Sequence, residues 1–208
     1  MASSSTSNTG TFGDRFVAAI TAIDAANAAD PNTLHVGGIS RPKELAHAEM
    51  LTARVNQLRP EASEQLFLAA RAHHIRRWAH PRSSFQTGRN GYLLWRKEQR
   101  EFHANETRTI LLAVGYDEEI ADRVSEIIQK RGLGQDEEVQ AFEDGLCLVF
   151  LETQFDDLSA RTERSKMVEI ACKTFRKMSP KGLKAAGTVK LSEGSSSIVQ
   201  EALERTSD

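Results

Sequence analysis

The chain has only two cysteines, no long apolar run and no excess of positive charge. Both cysteines, Cys147 and Cys172, lie in apolar helical segments, so we predict buried thiols and a reducing, cytoplasmic compartment. The absence of a long apolar run argues against a membrane span. The formal net charge of -2 leaves no global basic character that would attract a nucleic acid. What remains is the composition of a globular chain.

The N-terminal residues MASSSTSNTGT lack the basic and apolar regions of a secretory signal. No arginine precedes Arg15, which argues against a transit peptide. We predict a disordered leader over residues 1–11, one helical domain over 12–190, and a short C-terminal helix or tail over 191–208.

Proline and glycine end most of the predicted helices, and serine or aspartate begins several of them. No stretch alternates as a half-buried strand does, so we predict an all-α fold, a helical bundle. The helical segments are FGDRFVAAITAIDAANAAD from Phe12, KELAHAEMLTARVNQL after Pro42, ASEQLFLAARAHHIRRW with Ser63 as N-cap and Pro81 as stop, YLLWRKEQREFHANETRTILLAV up to Gly115, EEIADRVSEIIQKR after Asp117, EEVQAFEDGLCLVFLETQF after Asp136, and ERSKMVEIACKTFRKM.

Four histidines and one acidic pair interrupt these apolar helices: His47, His73, His74, His103, Glu143 and Asp144. A buried carboxylate needs a partner, because an unpaired buried charge costs several kcal/mol. Histidines on neighbouring helices could be that partner, directly or through a shared metal ion. Other interpretations stay open: His74 could be a core histidine bonded to a carbonyl, and the acidic pair could form a salt bridge with an arginine.

A basic cluster surrounds the predicted loop between Pro81 and Gly91. Guanidinium groups suit phosphate or carboxylate, and the nearby aromatic rings could stack on a ligand. The alternative is a solvated helix end with local ion pairs to Glu98, Glu101 and Glu106. The cluster comprises Arg76, Arg77, Arg82, Arg89 and Arg96, interleaved with Trp78, Tyr92 and Trp95.

The order of the histidines and the acidic pair resembles that of the HD-domain metallohydrolases. In that family a His, a His-Asp doublet and a distant Asp bind a divalent metal on an α-helical bundle. His47 would match the first His, His73-His74 the doublet, and Asp144 the last Asp, with gaps of the right size. The doublet here is His-His, which adds a neutral nitrogen ligand and lowers the negative charge of the site.

A closer resemblance covers most of the chain through the strings LAARAHHIRRWAHPRSSF, GRNGYLLWR, FEDGLCLVFLE and KTFRKMSPKG. They resemble a widespread uncharacterised family, catalogued as a domain of unknown function, some members of which carry a glutamyl-tRNA synthetase label. The chain has no nucleotide-binding strand–turn–helix signature that would support this label. The resemblance gives weight to His74, Arg76, Arg77, Trp78, Arg89, Gly91, Tyr92, Trp95, Arg96, His103, Glu143, Asp144 and Glu152, and less to His47 and His73.

The resemblance to HD-domain proteins, together with the arginine cluster, implies a metal-dependent phosphohydrolase of the HD type that acts on a small anionic substrate, such as a nucleotide. The predicted metal is Zn, Mn or Fe, and a water on it would be oriented or deprotonated by Glu143. The predicted metal ligands are His47, His73, His74, His103 and Asp144, and the predicted anion-binding residues are Arg76, Arg77, Arg89, Arg96, Trp78 and Trp95. A di-iron HD-type oxygenase is one alternative, because imidazole suits iron. A non-catalytic anion- or RNA-binding helical module is the other.

Overall fold

A computed structural model describes residues 12–207, so the predicted leader over residues 1–11 lies outside the described residues. The chain forms two compact units. The first contains the described residues up to Asn56 together with Pro60–Arg131, and the second contains Gln57–Arg59 together with the described residues from Gly132 onward. The segment 12–190, predicted as one domain, therefore contributes to both units.

The first unit is helical apart from one small hairpin. Within it α4 packs against α5 and α1, and α3 packs against α5 and α1. Its elements are α1 Asp14–Ala28, β1 Thr33–Val36, β2 Ile39–Pro42, α2 Lys43–Leu58 (whose last two residues belong to the second unit), α3 Glu64–Ala72, the 3-10 turns Arg77–Ala79 and Arg82–Ser84, α4 Gly88–Ala113 and α5 Glu118–Gln129.

Among the described residues the second unit consists of helices and the turns that connect them. It contains α6 Glu137–Thr153, α7 Phe155–Ala160, α8 Arg164–Phe175, α9 Pro180–Ala186 and α10 Glu193–Ser207. The helix α10 packs along α8, and its Ile198, Val199 and Ala202 belong to the same buried core as Leu148 and Phe175. The C-terminal segment predicted as a short helix or tail is therefore a core element of this unit.

The prediction of an all-α fold is confirmed, and several predicted helix starts are correct. Ser63 accepts a hydrogen bond from the Leu66 amide at 3.1 Å, and Asp117 accepts one from the Ile120 amide at 2.9 Å. Such caps satisfy amides that have no intrahelical acceptor, for about 1 kcal/mol each. Both cysteines are buried and unbridged. No helix among the described residues is long and apolar enough to cross a membrane.

The prediction that the chain has no strands is wrong for one short segment. β1 and β2 form an antiparallel hairpin in which Val36 pairs with Ile39. Gly37 and Gly38 form its two-residue turn with φ of 59° and 83°, a left-handed conformation that glycine adopts without strain. The hairpin ends at Pro42 and α2 begins at Lys43, so the proline precedes the helix and is not in its first turn.

The predicted continuous helix up to Pro81 is also wrong. α3 ends at Ala72, and Arg76 adopts the left-handed conformation with φ of 49° before a 3-10 turn follows. A straight helix would point His73 and His74 about 100° apart. The turn instead brings the two ring centroids within 4.1 Å of each other.

Candidate metal centre

The carboxylate of Glu44 lies at the centre of a buried group of imidazoles in the first unit. Glu44 is in the first turn of α2, where its backbone amide donates to Asp30 at 3.0 Å, and only 4% of the residue is exposed. Its Oε2 lies 3.4 Å from Nδ1 of His47, one turn along the same helix. The same oxygen lies 3.1 Å from Nδ1 of His74, which follows α3. Glu44 thus orients two rings from separate elements.

Backbone carbonyls fix two further rings. Nδ1 of His73 lies 3.1 Å from the Ala70 carbonyl, and Nδ1 of His103 lies 2.9 Å from the Ile75 carbonyl. A carbonyl only accepts hydrogen bonds, so Nδ1 of each ring carries the proton and Nε2 carries a lone pair. This is the tautomer in which a histidine binds a metal through Nε2, with Nδ1 held by an outer partner.

Two Nε2 atoms in this group are buried and lack a partner. They belong to His47 and His103, and neither has a hydrogen bond to any described residue. Each residue is only 2% exposed. Buried polar atoms in native proteins are almost always paired, so two unpaired imidazole nitrogens near one carboxylate require an explanation. A metal ion that reached these two nitrogens would satisfy this need.

The tightest potential ligand set consists of Glu44, His73 and His74. One ligand atom from each of these residues lies within 4.8 Å of the others. Two imidazoles and one carboxylate form a donor set that suits Zn, Mn or Fe.

The surroundings keep three of the imidazoles neutral. Burial, assisted by the positive charge of Arg77, lowers the pKa of both His74 and His103 to about 3. Burial also lowers the pKa of His73 well below its usual value. For Glu44, burial alone would raise the pKa of the carboxyl, but the hydrogen bonds and charges of His74 and His47 hold it below its ordinary range. At neutral pH His73, His74 and His103 are therefore neutral and Glu44 is ionised, the protonation state that a metal requires.

The arginines of the basic cluster occupy different environments. Arg76 pairs with Glu106 at 2.9 Å, one of the local ion pairs considered as an alternative. Arg89 and Arg96 are exposed, and the Arg96 guanidinium lies 5.8 Å from the centre of the Tyr92 ring. Arg77 is partly buried, and its guanidinium lies 4.9 Å from the centre of the Trp95 ring.

Hydrogen bonds from α4 and the loop hold this part of the unit in place. The indole N–H of Trp95 donates to the His80 carbonyl at 3.0 Å. The Gln99 amide donates to the same carbonyl at 2.7 Å and to that of Arg77 at 3.3 Å. Arg82 donates to the Gln86 carbonyl at 2.7 Å, so this arginine supports the loop. Trp78 is partly buried.

The acidic pair lies on α6 in the second unit, where each residue is 2% exposed. Asp144 Oδ1 accepts from the Ser179 amide at 2.9 Å and from Gln140 at 3.0 Å, while Oδ2 accepts from the Ser179 hydroxyl at 2.5 Å. Glu143 pairs with Lys177 at 3.1 Å. These contacts all lie within the second unit. The predicted roles of Asp144 as a metal ligand and of Glu143 as a base stay predictions.

Residues 17–199 match the family model described as Domain of unknown function (DUF4202). The chain belongs to this family. No curated protein and no solved structure matches the chain. The family description carries no activity, so the chemistry of this DUF4202 domain has to be argued from its residues.

Sequence reasoning missed Glu44, the carboxylate that contacts the histidines in the DUF4202 domain. The available signal was its position three residues before His47, which places both side chains on one face of α2. The helix is amphipathic and rich in polar residues, so nothing in its pattern distinguished a buried glutamate from an exposed one.

Proposed function

We propose that Glu44, His73 and His74 hold a divalent metal ion, with Nε2 of His47 and of His103 as further donors. We propose further that the protein is a metal-dependent phosphohydrolase acting on a small anionic substrate. The observation that carries this proposal is the convergence of Glu44, His73 and His74, whose potential ligand atoms lie within 4.8 Å of one another.

The resemblance to HD-domain metallohydrolases supports the same proposal. The doublet in this chain lacks its Asp, and the carboxylate of Glu44 lies 3.1 Å from the His74 ring that replaces it. Glu44 would therefore restore a negative charge to the centre. Asp144 and Glu143 already have partners within the second unit, so the proposed centre consists of residues of the first unit.

A divalent ion at such a centre lowers the pKa of a bound water and polarises a phosphoryl oxygen. The chain would contribute the remaining elements. The rings of His47 and His74 fix the Glu44 carboxylate, and the Ala70 and Ile75 carbonyls fix the rings of His73 and His103. A positive charge from the arginine cluster would bind the anionic group of the substrate. The two buried thiols are compatible with a cytoplasmic location.

A second candidate is a di-iron oxygenase. The observation that favours it is the number of imidazoles in the group, since nitrogen-rich sites suit iron. Iron in the purified protein, together with oxygen consumption, would favour this candidate over the hydrolase.

The hydrolase is tested by assaying metal-loaded protein against a panel of phosphate monoesters. We expect hydrolysis that EDTA abolishes and that Zn, Mn or Fe restores. Glu44→Gln should reduce the rate by about 100-fold or more, because it removes the negative charge and replaces one ligand oxygen with an amide nitrogen. Glu98→Gln, at an exposed position of α4, is the matched control and should leave the rate unchanged. Protein that carries stoichiometric metal but hydrolyses none of the esters would contradict the proposal.

A further inference from the structure

Arg77 is a partly buried cation without an anion. Among the described residues its guanidinium has neither an ion pair nor a hydrogen-bond acceptor, and its close contact is the face of Trp95 at 4.9 Å. Burial and the neighbouring charge of Arg96 lower the pKa of Arg77, and the charge of Glu44 opposes them. A partly buried guanidinium without an ion pair would be stabilised by a bound anion.

Two other partly buried arginines of the first unit are paired with carboxylates. Arg71 makes a two-pronged ion pair with Asp24 at 2.5 and 2.6 Å. Arg41 makes one with Glu49 at 2.6 and 2.8 Å. Because a guanidinium is shaped for such two-pronged contacts with carboxylate or phosphate, the missing partner of Arg77 is most simply an oxyanion supplied by a ligand.

The position of Arg77 relates it to the candidate metal centre. Its backbone amide donates to the His74 carbonyl at 3.0 Å, and its own carbonyl accepts from Gln99, one helical turn before His103 on α4, at 3.3 Å. Arg77 is therefore tied to both segments that carry the His74 and His103 rings. An anion bound by Arg77 would therefore lie near the histidines.

The surface that surrounds Arg77 is aromatic and held in place before a ligand arrives. Trp95 is fixed by its hydrogen bond to the His80 carbonyl. Tyr92, one helical turn earlier, lies 5.9 Å from Trp95 between ring centroids and is 43% exposed. An exposed ring next to a fixed one offers a face on which a planar group can stack, and a fixed surface loses little entropy on binding.

We propose that Arg77 binds the phosphoryl oxyanion of the substrate and that Tyr92 selects substrates in which this group carries a planar ring. The ligand class is thus an aryl or heteroaryl phosphate. The inference deepens the proposed function, on which it rests for the reaction, but binding to Arg77 and Tyr92 can be measured without turnover.

The test compares phenylphosphonate with methylphosphonate by isothermal titration of the purified full chain. The two probes differ in the ring, and neither contains a phosphate ester bond that the protein could hydrolyse. We expect phenylphosphonate to bind about tenfold more tightly, a difference within the range of an aromatic contact plus its buried area. Equal affinities, or benzoate binding more tightly than phenylphosphonate, would overturn the proposed substrate class.

Variants assign the two contributions. Arg77→Gln and Arg77→Lys should weaken both probes by about tenfold or more, since neither side chain offers the guanidinium fork. Tyr92→Leu should lower the affinity for phenylphosphonate to that for methylphosphonate. The affinity for methylphosphonate should not change. The matched controls are Arg100→Gln, which removes one exposed charge from α4, and Leu93→Ala, which removes a 51% exposed side chain next to Tyr92.

The outcomes separate this inference from the proposed function. If the protein carries metal but the probes bind equally to wild type and Arg77→Gln, the inference is overturned and the metal centre stands. If the probes bind through Arg77 and Tyr92 but no metal is found, the inference stands and the hydrolase does not.

Discussion

The two units differ in how completely the buried side chains singled out by the sequence are paired. In the second unit Asp144 accepts three hydrogen bonds and Glu143 forms an ion pair with Lys177, so both buried carboxylates have donors. In the first unit His47 and His103 each keep an unpaired buried nitrogen. Buried polar groups with partners are typical of a stable interior, whereas unpaired ones near a carboxylate indicate a place for a ligand. The acidic pair and the histidines both interrupt apolar helices, but only the acidic pair is fully provided with hydrogen-bond or ion-pair partners.

The partners of Asp144 suggest what it contributes to the second unit. Its carboxylate binds the amide and hydroxyl of Ser179, and that hydroxyl in turn caps α9 by accepting from the Gly182 amide at 3.1 Å. We propose that Asp144 chiefly fixes the start of α9 against α6.

The largest expected effect comes from Asp144→Ala. The substitution leaves the Ser179 amide and hydroxyl and the Gln140 amide without their acceptor, so we expect a loss of about 3–5 kcal/mol in the free energy of unfolding. Denaturant titration measures it, with Glu169→Ala, an exposed acid of the same unit, as the control.

Asp144→Asn sharpens the comparison between the units. It keeps the shape and one acceptor oxygen but removes the charge. We expect lower stability with full metal content. Folded Asp144→Asn protein that has lost its metal would contradict this structural role of Asp144.

The next largest effect is on the pH dependence of the metal-free protein. His103 has a pKa of about 3 in the folded state and about 6.5 when unfolded, so between these values the unfolded chain binds more protons. The contribution of the neutral His103 ring to the free energy of unfolding is therefore fully present above pH 6.5 and is lost as the pH falls toward 3. Between pH 7 and 5 His103 alone should account for up to about 2 kcal/mol. His74, whose side chain is 29% exposed, should contribute less.

Denaturation of EDTA-treated protein across this pH range checks the prediction. His103→Gln should flatten the dependence, whereas substitution of His35, which is exposed on the hairpin, should not. A dependence that is unchanged in His103→Gln would show that this buried ring does not stay neutral.

A smaller effect is expected from Gly182→Ala. A methyl group at this position would lie 2.6 Å from Cγ of Asp144, so α9 has to shift away from α6. We expect a loss of about 1–3 kcal/mol. Gly187→Ala in the same segment is the matched control, because its nearest atom would lie 3.6 Å away and its φ is an ordinary −64°. Equal stability of the two variants would argue against close packing at Asp144.

Local signals predicted much of the fold, and distant contacts account for what they missed. Ser63, Asp117 and Asp136 identified helix starts because capping is a contact within three residues. The hairpin was missed although Gly37-Gly38 is a turn signal, because its strands are only four residues long.

The site was predictable in residue type more than in arrangement. Burial of Asp144 followed correctly from the apolar face of its helix, but its partner Ser179 lies 35 residues further along the chain. The left-handed turn at Arg76 is stabilised in part by a distant residue, since the Arg76 amide donates to the Asn27 side chain at 3.3 Å. Sequence periodicity could not show this contact, and so it could not show that His73 and His74 converge.

The metal content of the purified protein tests the central claim most directly. Elemental analysis of the wild type should find at least about one divalent ion per chain. His74→Ala should lose most of it, because the variant removes one of the three closest ligands. EDTA should lower the melting temperature of the wild type, since metal bound to the folded state stabilises it. Metal-free wild-type protein whose melting temperature does not change with EDTA, Zn or Mn would contradict the account.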